Sequence, residues 1–240
     1  MEESFTINRA NLSQQIADQL EEWILSSPGG KVDTKLPSEQ RLATRYGVSR
    51  PVIREALKML QERGLLTLRN GLGAFVTRPQ AGTVEAAINR FSQMHDITDQ
   101  DLTQMRGIIE MNAARLAAEH ATDEDLAALR ENLEQFRNKT LGLKERVQLD
   151  SQFHLLIAHA SGNPLVEMFN QVLVSLLADY MGKGVLIPGG IDDAIARHQK
   201  VYDAIAAHDE GATMEAMSEH LRVSEQNVAQ FNEKSKKRTR

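Results

Sequence analysis

Four polar side chains stand out for the chemistry they can do together. Asp150 and His154 are four residues apart, so on a helix they project side by side. His198 lies within the apolar set Ala194, Ile195, Val201, Tyr202 and Ile205, and His220 lies near Met214, Met217 and Phe231. All four therefore fall on inward helix faces, and they come from three separate segments. Burying ionisable groups without partners costs free energy. A hydrogen-bonded core cluster would satisfy them. So would a divalent metal, because neutral imidazole and carboxylate suit Zn²⁺, Ni²⁺ or Mn²⁺. The residues alone leave both readings open. His95, His120, His159 and His208 fall in a loop, near helix ends or on other faces, and read as structural or solvated.

A second group has a different chemistry. In Ala43-Thr44-Arg45-Tyr46-Gly47-Val48-Ser49-Arg50, a small residue allows close helix packing and a glycine allows a tight turn, the spacing of a helix-turn-helix. Arg50 and Arg54 share one face of the following helix, apart from the Ile53, Leu57 and Leu60 stripe. Arginine forks suit guanine O6 and N7 in a major groove, and also phosphates. Amides at that helix's N-terminus, near Ser49, add phosphate contacts. Asn70-Gly71, between two β-prone runs, reads as the tip of a hairpin that enters a minor groove. A solvated basic face is the plain alternative. The ordered combination of turn, paired arginines and Asn-Gly tip favours DNA.

The elements that position these residues follow from period and breakers. A helix over 8–26 carries Leu12, Ile16, Leu20, Trp23 and Ile24, and Ser27-Pro28-Gly29-Gly30 follows it. A short helix starts near Ser38, and a third starts after Ser49, with Pro51 in its first turn. The hairpin comes next. Helix, helix, turn, helix, hairpin is the order of a winged helix-turn-helix. After the linker 77–82, helices alone are expected, over 83–94, 99–120, 123–140, 143–160, 164–182, 191–208 and 211–232. The expected fold is mainly α: a winged helix-turn-helix domain over 1–79 and an all-α helical bundle over 80–240.

Composition agrees with this division. The 240 residues have 41% hydrophobic and 25% charged side chains, no cysteine, and a net charge of -5. Residues 36–80 carry a net charge of +5, whereas 81–232 carry -11. A basic segment on an acidic body points to a polyanion partner for the first part only. Without cysteine there is no disulfide, thiolate nucleophile or thiolate metal site. No apolar run spans a membrane, and the start lacks a secretory pattern. A cytoplasmic location is expected. The basic tail from Lys234 to Arg240 reads as disordered.

Leu36-Pro37-Ser38-Glu39, Leu42-Ala43, Val48 through Leu57, Leu60 and Gly64-Leu65 together resemble the GntR superfamily of bacterial transcription factors. The helical part resembles its FadR subfamily, with an FCD ligand-binding domain. The resemblance covers nearly the whole chain. It implies a homodimer on a short palindromic operator, and a small effector that releases it. By the same resemblance Arg50, Arg54, Asn70 and Gly71 contact DNA. The family's arginine after Pro-Ser-Glu is replaced here by Gln40, and Arg41 is the candidate for its role. The resemblance also implies that Asp150, His154, His198 and His220 hold a divalent metal, with Zn²⁺ first, at the floor of an effector cavity. Arg106 and Glu110 are at minimum an ordinary i, i+4 pair. The flanking Met105, Ile109 and Ala113 read as inward, and the resemblance implies that Arg106 grips an effector carboxylate. Asn170 is a further effector candidate.

Three functions remain to be weighed. A metal-dependent enzyme lacks a second carboxylate with suitable spacing to serve as base. A purely architectural DNA-binding protein has no use for four inward polar groups. The expected function is a ligand-responsive repressor, not an enzyme, released by a small carboxylate such as a hydroxy acid or sugar acid.

Overall fold

The computed structural model describes residues 12–26, 31–79 and 81–238, with side chains described as far as 234. The expected start of the first helix at residue 8, the breaker 27–30 and residues 239–240 of the basic tail lie outside the described residues; residues 234–238 of that tail, expected to be disordered, continue the last helix. The chain divides into two compact units after Thr83.

The first unit contains α1 (Leu12–Ser26), α2 (Glu39–Tyr46), α3 (Arg50–Glu62), β1 (Leu66–Arg69) and β2 (Gly73–Val76). Ile16, Ala17, Leu20 and Ile24 are the buried face of α1, with a spacing that matches the helical turn. Two residues expected on that face are not in it: Leu12 is 50% exposed and Trp23 38%. Trp23 is one position short of the Ile16–Leu20–Ile24 row, so it lies at the edge. Ile53, Ala56, Leu57 and Leu60 of α3 complete the core with Leu42 and the inward residues of the hairpin. The Ser38 hydroxyl caps α2 by accepting from Arg41 N. Gly47 ends α2 at φ +66, a left-handed conformation that costs an L side chain even where there is space. The hairpin pairs antiparallel from Leu66↔Val76 to Arg69↔Gly73. After a turn with Asp33 at φ +65, residues 34–36 run antiparallel beside β2, with Lys35 bridged to Phe75, Asp33 N donating to Val76 O and Leu36 N to Ala74 O.

α4 (Ala81–Met94) begins just before the division and continues into the second unit, which also contains α5 (Asp99–His120), α6 (Asp123–Phe136), α7 (Leu143–Ala160), α8 (Pro164–Leu176), α9 (Ala178–Val185), α10 (Gly190–Ala206) and α11 (Glu210–Arg238). Thr98 and Thr122 start α5 and α6 with capping boxes to Asp101 and Asp125. The expected helix 164–182 is two helices. The chain leaves helical geometry at Leu177 (φ -98, ψ 7), where no glycine or proline announces a break. Ala113, Ala114 and Ala117 keep one face of α5 narrow, and α7, α8, α10 and α11 pack on this helix. Phe153 and Ile157 of α7, Val201 and Ile205 of α10, and Met217 of α11 join that core. α5, α7, α10 and α11 are thus held side by side, and they carry the polar cluster.

Candidate functional site

His154, His198 and His220 meet in the interior of the helical unit. One ring nitrogen from each lies within 4.8 Å of the other two, and all three residues are buried. Each comes from a different helix, and each helix is fixed by the apolar residues beside the histidine. His198 stacks on Phe153 at 4.0 Å between centroids, nearly parallel. His154 Nε2 and His220 Nε2 are 3.2 Å apart. Asp150, one turn before His154, sits with Oδ1 3.5 Å from His198 Nε2. It adjoins the trio but is not within the same 4.8 Å grouping.

Neither ring nitrogen of His198 has a hydrogen-bond partner, and His220 Nδ1 has none. A buried imidazole without partners loses its water and gains nothing in return. That is poor evidence for a hydrogen-bonded core cluster. Three imidazoles with a carboxylate alongside are a suitable donor set for a divalent first-row metal. The residues therefore fit a metal. Burial holds His198 and His220 well below the ordinary imidazole value, with His154 and Arg106 adding to the effect. Both are neutral near pH 7, the form that ligates. Burial pushes the Asp150 carboxyl up.

Arg106 and Glu110 of α5 border the same cluster. Arg106 Nε donates to Glu110 Oε1 at 2.8 Å, and Arg106 Nη2 lies 3.0 Å from His154 Nε2. Glu110 Oε2 lies 2.8 Å from His154 Nδ1. The side chains are only 3% and 2% exposed. The sequence places Arg106 as an effector contact beside an inward face of Met105, Ile109 and Ala113; Ala113 is buried, whereas Met105 is not. Met105 is 47% exposed, and the inward face of α5 is Arg106, Glu110, Ala113, Ala114 and Ala117. Burial raises the Glu110 carboxyl, but Arg106 and His154 outweigh it and hold it at about 2. Asn170 of α8 is fully buried; its Nδ2 donates to His154 O at 2.9 Å, and its Oδ1 is unpartnered.

In the first unit, Arg50 and Arg54 are exposed on the first turns of α3. Glu39, at the start of α2, lies between them. Arg54 Nε and Nη2 donate to its two carboxylate oxygens at 3.3 and 2.9 Å. Arg50 Nη2 is 3.5 Å from the same Oε2. The Arg54 hydrogen bond holds the Glu39 carboxyl below its ordinary value, against burial. Ser49 occupies the N-cap position of α3, but its hydroxyl makes no cap hydrogen bond. Arg41 is exposed on α2. Asn70 and Gly71 form an exposed tip, with Gly71 at φ +72. Behind the tip, Arg69 pairs with Asp33 at 2.8 Å and covers the Phe75 ring. Of these, sequence reasoning missed Glu39 as a partner of both arginines. Its place in the first turn of α2 gave no direction for its side chain.

A winged helix-turn-helix followed by an all-helical domain is the build of a bacterial transcriptional regulator. Residues 12–76 match the bacterial regulatory proteins of the gntR family, and residues 101–223 match the FCD domain. The chain is 30% identical over 224 residues to the HTH-type transcriptional repressor NanR of Escherichia coli (strain K12), covering 89% of this chain and 82% of that one. It is also 30% identical to NanR of Salmonella arizonae over 240 residues, with 95% and 89% covered. The solved structure of Streptococcus agalactiae GntR superposes with a TM-score of 0.71 at 25% identity, covering 89% of this chain and 99% of that chain. The chain therefore belongs to the gntR family and carries an FCD domain. It is a transcriptional regulator rather than an enzyme. Among the described residues, no helix is long and apolar enough to cross a membrane.

Proposed function

We propose that this regulator is a cytoplasmic repressor that binds a short palindromic operator as a homodimer and releases it when a small carboxylate reaches a metal in the helical domain. The DNA-binding domain spans 1–79 and the effector domain 80–240. The observation that carries the proposal is the convergence of His154, His198 and His220 beside Arg106, with both ring nitrogens of His198 and Nδ1 of His220 lacking a hydrogen-bond partner. These histidines, with Asp150, would hold the metal, Zn²⁺ first and Ni²⁺ or Mn²⁺ as alternatives. When bound, the metal supplies a Lewis-acidic position for an effector oxygen.

Charge favours an anionic effector. Ionised Asp150 and Glu110 oppose Arg106 and a divalent ion, which leaves the buried site about one positive charge in excess. A small carboxylate such as a hydroxy acid or sugar acid balances it. Arg106 is positioned to pair with that carboxylate, and the unpartnered Oδ1 of Asn170 accepts a hydroxyl hydrogen.

On the DNA side, Arg50 and Arg54 read base edges, while Arg41 and the Ser49 hydroxyl contact phosphates. Asn70 and Gly71 reach the minor groove. A homodimer places two α3 helices on the two halves of a palindrome. Exposed Met105, Ile108, Leu165 and Phe169, on the packed helices α5 and α8, supply apolar surface for a second copy. The relatives NanR are repressors by name. Release follows if the effector favours a domain arrangement that fits the operator poorly.

The test is fluorescence anisotropy on a duplex selected from a random-sequence pool, with zinc-loaded protein titrated against a panel of small carboxylates. Release by one acid, abolished by chelator and by Arg106→Lys, which keeps a positive charge beside Glu110 but loses the planar fork, is expected. Operator binding that no acid and no chelator alters would overturn the effector reading.

A further inference from the structure

We propose that Glu39 is a specificity-determining residue of the DNA-binding unit, holding Arg54 and Arg50 in one orientation for reading base edges. The inference rests on the DNA-binding reading above and adds a residue to it.

The geometry of Arg54 is the first support. Its Nε and Nη2 face the two oxygens of Glu39. This two-point contact fixes the plane of the guanidinium as well as its position. It uses one edge of the fork. The Nη1–Nη2 edge, with two donors, is left for a partner, and the side chain is 55% exposed. Guanine presents O6 and N7 as two acceptors in the major groove, which is the complement of that edge. Arg50 is drawn to the same carboxylate oxygen, so one acidic residue orients both arginines.

The anchoring of Glu39 is the second support. It lies in the first turn of α2, a helix fixed by its Ser38 cap and by buried Leu42 and Ala43. α2 packs on α3. The backbone of Glu39 is thus placed by the fold, within reach of both arginines. A side chain held before binding loses less freedom when it docks.

The sign of the charge is the third. A carboxylate between two arginines weakens their attraction to phosphates, so it lowers nonspecific affinity. An exposed ion pair adds little to folding stability. Neither affinity nor stability accounts for an acid at this place, whereas orientation does.

The experiment compares two duplexes in fluorescence anisotropy at fixed salt. One is a site that the wild-type chain selects from a random-sequence pool. The other has one G·C pair in each half changed to A·T. The ratio of their Kd values is measured for wild type, Glu39→Gln, Arg54→Lys and the double variant, with thermal melting of each. Glu39→Gln is expected to melt as wild type and to bind a scrambled duplex at least as tightly. Its discrimination ratio is expected to fall about tenfold. In the Arg54→Lys background the same change is expected to lower the ratio by clearly less, because only the Arg50 contact remains to be lost. An unchanged ratio in Glu39→Gln, or an equal fall in both backgrounds, overturns the inference. Should Glu39→Gln melt early, Glu39→Asp keeps the charge and shortens the reach. Its ratio is expected to fall as well, and a wild-type ratio there overturns the inference. A wild-type chain that selects no site defeats the DNA-binding reading itself, and the inference falls with it before any variant is made.

Discussion

Each unit of this regulator sets arginine against glutamate, and the two settings differ in water. In the DNA-binding unit, Glu39 holds Arg54 and Arg50 at the surface. In the helical unit, Glu110 holds Arg106 in the interior, against His154. The exposed contact is screened and adds little to stability, so its value is geometric. The buried contact has given up hydration on both sides, so losing either partner leaves an uncompensated charge. The same pair of residue types is a positioning device in one place and a structural requirement in the other.

The largest effect that sharpens this contrast is on stability. Glu110→Ala is expected to cost about 3–5 kcal/mol in chemical denaturation, because it strands the Arg106 charge. Glu39→Ala is expected to stay within about 0.5 kcal/mol of wild type. Equal costs would break the comparison.

Next in size is the metal. Stripping it with chelator is expected to lower the melting temperature of the helical unit, since a ligand that binds only the folded state stabilises it by about 4 kcal/mol at a thousandfold excess over Kd. The Arg54→Ala variant is expected to melt as wild type with and without chelator. Its loss is on DNA: about 10- to 100-fold in operator affinity, read by anisotropy. A loss of that size on scrambled duplex as well would assign Arg54 to phosphate and not to bases.

The smallest effect is the acid limb. Glu110 is held at about 2, below its ordinary 4.5. A depressed carboxyl contributes stability that is fully present above about pH 4.5 and is lost as pH falls towards 2. Wild type is therefore expected to lose more stability across that window than Glu110→Gln, by urea denaturation at each pH. Parallel curves would show that Glu110 does not carry the acid dependence.

Helix boundaries were legible wherever a cap or breaker marked them. Thr98 and Thr122 opened α5 and α6, and Pro164 opened α8. The break at Leu177 was hidden, because no residue type there records it. Trp23 kept an apolar identity without a buried place. The short run 34–36 beside β2 was missed because three residues with a single buried one, Leu36, have no period to read. The three histidines were legible from their apolar neighbours and converge in the fold. What spacing could not convey is the burial of Arg106 and Glu110, whose flank was placed on Met105 instead. Nor could it convey the reach of Glu39 from one helix to another. Contacts between elements depend on how the helices cross, and a local pattern does not contain that angle.

The most direct measurement is the zinc content of the purified chain, by elemental analysis after dialysis against zinc and then against buffer, for wild type and for His198→Gln. About one equivalent per wild-type chain, with little retained by a His198→Gln variant that still folds, is the expected result. A wild-type chain that retains no metal would contradict the reading of the histidine cluster as a metal centre.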